Sequence, residues 1–330
     1  MRRIGILVIA FTTLAACGTP TGTGAQPEFP TTTTLVPAPS DQATTTTSSL
    51  ATTVTQAPAT TVTTAANTTT TAAAPTATAP PAKIAVAPYF YIDEAGHPNR
   101  QGPFLAPVNR EVAKTVAVAR AAIEQLLAGP TSGETEGIPA ISTAIPDGVR
   151  LLGLTISGEG IATVDLSGEF EADDDSAAVA QRIAQVVFTL SQFPTVSEVL
   201  FRQDNVAVEV QTGEGELVSR PVGIWDYLEF AAALHIESPT YGGQGGNPLH
   251  VLGFGAVFEA AFSYALTDDD GLIIAEGHEM TTNGTGWGGF DFTIDYEVDR
   301  QQVGALIVWT HSAENGERID IREYPVVLIP

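Results

Sequence analysis

The apolar positions divide the chain into a short apolar start, a long stretch without a repeating pattern, and a regularly patterned region from residue 83 onward. Between residues 83 and 230, short apolar runs predict strands at 84–92, 152–156, 161–166, 196–201 and 206–210. Helical spacing predicts a helix over 112–127 and a second helix that contains 179–190 and begins after the acidic triplet at 173–175. This β-α-β-β-α-β order predicts an α+β domain with both helices on one face of a mainly antiparallel sheet.

The helical pattern stops after this domain, and the remaining residues, 231–330, have the pattern of an all-β domain. Apolar runs separated by turn residues predict strands at 251–254, 256–266, 272–278, 290–296, 304–310 and 319–329. Their regular spacing is typical of an antiparallel sandwich. A glycine-rich segment at 241–247 departs from this pattern and predicts an unusual first loop.

The first 17 residues predict an export signal that ends in a lipid attachment site. Two arginines precede an apolar run at 4–16, which is too short to span a bilayer. The motif Leu14-Ala15-Ala16-Cys17-Gly18 resembles the lipobox of bacterial lipoproteins, and Cys17 is the single cysteine of the chain. The resemblance implies that a lipid on Cys17 anchors the protein to the outer face of the membrane, an extracytoplasmic location.

Residues 18–82 are dominated by Thr, Ala and Pro, with threonine runs at 31–34, 44–47 and 68–71. Such a composition cannot bury enough apolar surface to offset the entropy of ordering. We therefore expect a disordered tether between the membrane anchor and the folded domains at 83–230 and 231–330.

The charge and the residue inventory limit the possible chemistry. The formal net charge of −24 lies entirely after residue 82, and so acidic a body disfavours nucleic acid as a partner. With one cysteine no disulfide forms within the chain, and the five histidines have no metal-binding spacing. We therefore expect no cofactor and no metal. The Asp268-Asp269-Asp270-Gly271 cluster is compatible with a hairpin turn or with a Ca²⁺ site.

Several motifs together resemble a known bacterial domain family. They are Thr143-Ala-Ile-Pro-Asp-Gly148, Leu151-Leu-Gly-Leu154, Ala162-Thr-Val-Asp-Leu-Ser167 with Glu169-Phe170, and a longer segment at 185–195. These residues resemble the GerMN domain of spore-germination and sporulation proteins. In the second half, Val257-Phe-Glu-Ala260, Gly288-Gly-Phe290 and Pro325-Val-Val-Leu328 resemble the immunoglobulin-like domain of the Gmad family, which commonly follows GerMN.

The resemblance implies a non-enzymatic binding or assembly module at the cell envelope whose partner is an envelope protein or a cell-wall polymer. The alternative is a cell-wall peptidoglycan hydrolase, or an activator of one, that uses paired carboxylates. Acidic residues are so abundant that their positions do not decide between the two functions. The aromatic residues that we expect to be exposed, and to be the first candidates for binding, are Tyr89, Tyr91, Trp225, Trp287 and Trp309.

Overall fold

The computed structural model of the chain describes residues 82–93, 102–137, 139–171 and 176–330. The predicted signal peptide, the acidic triplet at 173–175 and, apart from Ala82, the predicted tether lie outside the described residues. None of the helices in the described ranges has the length and apolar character needed to cross a membrane.

The first unit combines short strands with three helices in its described part. Its strands are β1 (Lys83–Val86), β2 (Tyr89–Asp93), β3 (Phe104–Pro107), β4 (Arg110–Ala113), β5 (Ala140–Ser142), β6 (Leu151–Ile156), β7 (Ile161–Leu166), β8 (Glu198–Gln203), β9 (Val206–Ala207), β10 (Val210–Gln211) and β11 (Leu217–Val218). Its helices are α1 (Val118–Leu127), α2 (Ser132–Thr135) and α3 (Ser176–Ser191). Two 3₁₀ turns, Gly168–Glu171 and Ile224–Phe230, complete the unit.

Helix α3 organises the first unit. Its apolar stripe, which includes Ile183, Val186 and Leu190, is almost completely buried, and the helix packs against α1, β2 and β8. The helix also connects β7 to β8, which pair in parallel, as a crossover connection requires. The predicted α+β class is confirmed. The expected single sheet is divided into the sheets β3-β2-β5 and β6-β7-β8-β9 and two strand pairs, β1-β4 and β10-β11.

The strand predicted at 84–92 is two strands that belong to different sheets. Pro88 lies between them and lacks the N–H group that a continuous ladder needs. Its carbonyl oxygen instead accepts a hydrogen bond from the amide of Val108 at 2.9 Å. No element was predicted between residue 92 and residue 112, but this stretch contains β3, which pairs with β2.

The helix predicted over 112–127 begins at Val118. Val112 lies in β4, where it pairs with Ile84 of β1, and Val116 is fully exposed. Strand pairing therefore overrides the helical spacing of the first apolar positions. The hydroxyl of Thr115 accepts a hydrogen bond from the Ala117 amide at 3.0 Å, just before the first turn of the helix.

The second unit is an antiparallel sandwich, as its pattern predicts. Its strands are β12 (Leu234–Ser238), β13 (Leu249–Gly255), β14 (Ala261–Thr267), β15 (Ile273–Met280), β16 (Gly288–Ile294), β17 (Gln302–His311) and β18 (Arg318–Leu328). They form the sheets β12-β13-β16 and β15-β14-β17-β18. The strand expected at 256–266 begins only at Ala261, because a 3₁₀ turn with a positive φ of 56° at Glu259 precedes it.

The glycine-rich segment at 241–247 lies along the edge of β18. The amides of Gly242 and Gly245 donate hydrogen bonds to the carbonyl oxygens of Pro325 and Val327 at 2.8 and 2.9 Å. The Val327 amide in turn donates to the carbonyl oxygen of Gly243 at 2.8 Å. The unusual first loop thus covers a strand edge that would otherwise present unpaired backbone groups.

The buried apolar residues of the two units form one continuous core. His235 of β12 lies at the junction and is fully buried. Its ring stacks on Tyr89 of the first unit, with ring centroids 5.8 Å apart, and on Phe254 of the second, at 4.7 Å. Neither ring nitrogen has a hydrogen-bond partner among the residues that the structure describes. Burial lowers the pKa of His235 from 6.5 to about 3, so the imidazole is neutral in the folded protein.

Candidate binding cleft at the domain junction

Three of the five aromatic residues expected to be exposed are buried, so this part of the prediction is wrong. Tyr89 and Tyr91 are 2% exposed and lie in β2, the central strand of its sheet, beneath α3. The Tyr91 hydroxyl donates a hydrogen bond to the carbonyl oxygen of Gln181 at 3.0 Å. Trp309 lies in β17, and the guanidinium of Arg318 covers its ring at 4.3 Å. These residues stabilise the fold and present no contact surface.

The other two, Trp225 and Trp287, are half-buried and line the same open cleft. Trp225 comes from the first unit, and Trp287 precedes β16 in the second. The cleft has a volume of about 570 Å³. We call it the junction cleft, and its lining residues are Thr212, Gly213, Glu214, Glu216, Arg220, Trp225, Asp226, Leu228, Glu229 and Trp287.

One wall of the junction cleft is the turn between β10 and β11. The turn closes through the Thr212 amide, which donates to the Glu216 carbonyl oxygen at 2.8 Å, and Gly215 has the positive φ of 88° that favours glycine. The amide of Gly213 donates to the backbone carbonyl oxygen of Asp226 at 2.9 Å. This bond connects the turn to the 3₁₀ segment that carries Trp225. It therefore fixes the position of the acidic turn relative to that segment.

Asp226 stabilises the local structure. Its carboxylate accepts hydrogen bonds from Arg220 Nη2 at 2.6 Å and Nη1 at 3.1 Å, and from the Gly223 amide at 2.9 Å. Partial burial alone would raise the pKa of Asp226, but these hydrogen bonds outweigh it and hold the pKa below its ordinary value. Asp226 and Arg220 therefore neutralise each other, and the remaining carboxylates determine the charge of the cleft.

Glu229 lies across the backbone of Gly213, where a Cβ atom would overlap its carboxylate. The pKa of Glu229 is raised because the cleft wall partly removes the carboxyl from water and because the charge of Glu214 repels a second charge. Sequence reasoning did not single out Glu214, Glu216 or Glu229. A chain with 38 acidic residues offers no signal that would distinguish these three.

The Trp287 ring in the lining of the cleft meets Phe254 edge-on, with centroids 5.5 Å apart. Phe254 also stacks on His235, which stacks on Tyr89. A row of aromatic rings therefore connects the cleft to the core of both units. This packing fixes the position of the indole, as a preformed binding surface requires.

Two further polar groups in the described ranges lie in the second unit. Asp268 closes the turn between β14 and β15, because its carboxylate accepts hydrogen bonds from the amides of Asp270 and Leu272 at 3.0 and 2.8 Å. Ser263 Oγ and His278 Nδ1 lie 2.8 Å apart on the paired strands β14 and β15. In the part of the chain that the structure describes, no three His, Cys, Asp or Glu side chains are grouped as metal ligands.

The fold thus defines a two-domain protein, an α+β unit followed by an immunoglobulin-like sandwich, with an acidic and aromatic cleft where the two meet. Residues 88–209 match the Germane family, described as "Sporulation and spore germination". Residues 233–317 match the Gmad2 family, described as "Immunoglobulin-like domain of bacterial spore germination". The chain contains a Germane domain followed by a Gmad2 domain, and the resemblance of its motifs to these families is confirmed.

Solved structures give more distant similarities. The tandem GerMN domains of the sporulation protein GerM from Bacillus subtilis are 16% identical, with a TM-score of 0.36 over 65% of this chain and 62% of that one. This chain therefore spans less than two thirds of that structure. The first GerMN domain of the same protein is 22% identical, with a TM-score of 0.32 over 42% of this chain and 97% of that one. CopC from Methylosinus trichosporium OB3b is 20% identical, with a TM-score of 0.22 over 30% of this chain and 94% of that one. A comparison with curated proteins found no match.

Proposed function

We propose that the chain is a non-catalytic binding or assembly module of the bacterial cell envelope, held at the outer face of the membrane by a lipid on Cys17. The Germane and Gmad2 domains support a role in sporulation or germination, and the lipobox-like sequence supports the anchor. The observation that carries the proposal is the junction cleft, to which each domain contributes a tryptophan on a rigid frame. Half-buried aromatic rings of this kind are typical contact residues of protein surfaces.

The anchor is tested by metabolic labelling of the full chain with a fatty-acid analogue. We expect label on the parent protein and none on the Cys17→Ala variant, because the thiol is the acceptor. Thr19→Ala, two residues further on, is the matched control and retains the label. A parent chain without label, or a labelled Cys17→Ala variant, contradicts the anchor.

Binding is tested with isolated cell-wall sacculi and with crosslinking in intact cells, using the chain from residue 18 onward for the sacculi. We expect crosslinks or sedimentation that the double variant Trp225→Ala/Trp287→Ala reduces, without release of soluble fragments. An unchanged pattern in this variant contradicts the role of the cleft. Circular dichroism of the variant confirms that the fold is retained.

One observation favours a second candidate function, a cell-wall hydrolase. Glu229 has a raised pKa and lies beside Glu214 in a cleft with two indoles, and a carboxyl with a raised pKa is what a general acid requires. Soluble muropeptides that appear with the parent and disappear with Glu229→Gln would establish this function. If no soluble muropeptides appear under conditions in which the chain binds sacculi, the hydrolase is contradicted and the non-catalytic binding module remains.

A further inference from the structure

We propose that the junction cleft binds a lysine or arginine side chain from a basic segment of a partner protein. This inference rests on the proposed function, since it names the ligand class of the same site. The observations that lead to it are the charge of the cleft, the type and fixed position of its aromatic rings, and its size.

The lining of the cleft is strongly anionic. It contains four carboxylates and one guanidinium, and that guanidinium, of Arg220, is paired with Asp226. Glu214, Glu216 and Glu229 form no salt bridge with any residue in the ranges that the structure describes. A cleft lined by one sign of charge concentrates the field and attracts the opposite sign. The charge therefore selects a cation over a neutral sugar polymer.

The aromatic rings of the cleft also favour a cationic ligand. Tryptophan gives the strongest cation–π attraction among the aromatic residues, and it acts on ammonium and guanidinium groups within about 6 Å of the ring. Trp225 and Trp287 line the cleft together with the acidic turn. The packing of Trp287 against Phe254 fixes one ring before a ligand arrives, which lowers the entropic cost of binding.

The local electrostatics add to this preference. Partial burial is the main cause of the raised pKa of Glu229, and repulsion between its carboxylate and that of Glu214 adds to it. A cation placed between them relieves the repulsion. The titratable and charged groups that line the cleft with Glu229 are Glu214, Glu216, Arg220 and Asp226.

The size of the cleft fits a short segment with a long basic side chain. About 570 Å³ lies within the range of about 300–1,000 Å³ typical of binding sites for small ligands. One Arg or Lys side chain with its neighbouring backbone occupies such a volume, whereas a folded domain does not enter it. The occupant is therefore a protruding loop or an extended tail of the partner.

Intrinsic fluorescence provides the test, because two of the three tryptophans of the chain line the cleft. The probes are a short Gly/Ser peptide with interspersed arginines and the same peptide with citrulline, a neutral isostere, in place of each arginine. We expect a saturable change in fluorescence with the arginine peptide and none with the citrulline peptide. Affinity should decrease several-fold as ionic strength rises from about 0.01 M to about 0.15 M, because exposed charges are screened.

The matched variants are Glu214→Gln/Glu216→Gln in the cleft and Glu276→Gln/Glu323→Gln at exposed positions of β15 and β18. Both pairs change the net charge equally, so only a local effect separates them. We expect the cleft pair to weaken binding of the arginine peptide at least about threefold and the control pair to leave it unchanged. Equal binding of both peptides, or equal effects of both pairs, overturns the inference.

A parallel capture experiment separates this inference from the proposed function. If crosslinking to envelope components persists while the arginine peptide fails to bind, the inference is wrong and the binding module remains. If sacculi bind through the two tryptophans and the arginine peptide does not compete, the occupant is a cell-wall polymer, which also overturns the inference. If neither the peptide nor any envelope component binds, both proposals fail.

Discussion

The buried imidazole at the domain junction should make the stability of the whole protein depend on pH. His235 has a pKa of about 3 in the folded protein, against an ordinary value of 6.5 for the unfolded chain. Between these two values the unfolded state binds a proton that the folded state does not bind. Stability therefore falls as pH falls through this window, by about 1.4 kcal/mol per pH unit from this residue.

The perturbation that isolates this effect is His235→Phe. Phenylalanine keeps an aromatic ring between Tyr89 and Phe254 and removes two ring nitrogens that have no hydrogen-bond partner in the described part of the chain. Near pH 7.5 we expect the variant to remain within about 1.5 kcal/mol of the parent, because the slightly larger ring offsets the removal of unpaired polar atoms. Near pH 4.5, roughly two units below the unfolded pKa, the variant should have gained about 2–3 kcal/mol relative to the parent.

The assay is urea unfolding of parent and variant at a series of pH values, followed by tryptophan fluorescence. Glu237 titrates nearby, and burial raises its pKa, so it contributes stability at low pH that is lost as pH rises through its folded pKa. This opposite effect is present in both proteins and cancels in their difference. Glu237→Gln in both backgrounds checks the cancellation. A difference between parent and variant that stays constant from about pH 7.5 to about pH 4.5 would refute the reasoning.

Three further substitutions test the fold by urea unfolding. Arg182→Met should cost about 3 kcal/mol, because Arg182 is only 2% exposed and its guanidinium donates hydrogen bonds to the Ala144 carbonyl oxygen at 2.9 Å and to a carbonyl oxygen in the 3₁₀ turn before α3. Gln185→Leu should cost about 2–4 kcal/mol, because the Gln185 side chain accepts a hydrogen bond from the Ala144 amide at 2.8 Å and donates one to a carbonyl oxygen of β2 at 2.9 Å. A loss of stability below about 0.5 kcal/mol would contradict this role. Gly253→Ala should cost at least about 2 kcal/mol, because its Cβ would overlap a backbone carbonyl of β12, whereas Gly133→Ala, which meets open space, should cost almost nothing.

Much of the fold follows from local patterns in the sequence. The stripe through Ile183 and Leu190 predicts α3, and alternating apolar runs predict most of the sandwich, because both depend on residues close together in the chain. The errors arise where distant pairing decides the structure. Val112 joins β4 because β1 is available as a partner, and the position of β1 cannot be deduced from residues 112–127 alone.

The cleft was only partly predictable for the same reason. Trp225 and Trp287 were expected as contact residues, but they lie in different domains, and no local pattern indicates that they line one cleft. Tyr89, Tyr91 and Trp309 are also aromatic but are buried, because they lie in central strands. Whether an aromatic residue is exposed therefore depends on the position of its strand within the sheet. That position depends on the complete topology.

The ring of His235, held between Tyr89 and Phe254, also makes each domain depend on the other for part of its buried surface. A duplication or exchange that joined the first domain to an unrelated neighbour would expose the apolar faces that now meet at the Leu105–Ala231 bridge. Such a hybrid would lose part of the core of each half. A substitution on one side of this junction therefore has to be accommodated by the side chains that pack against it from the other domain.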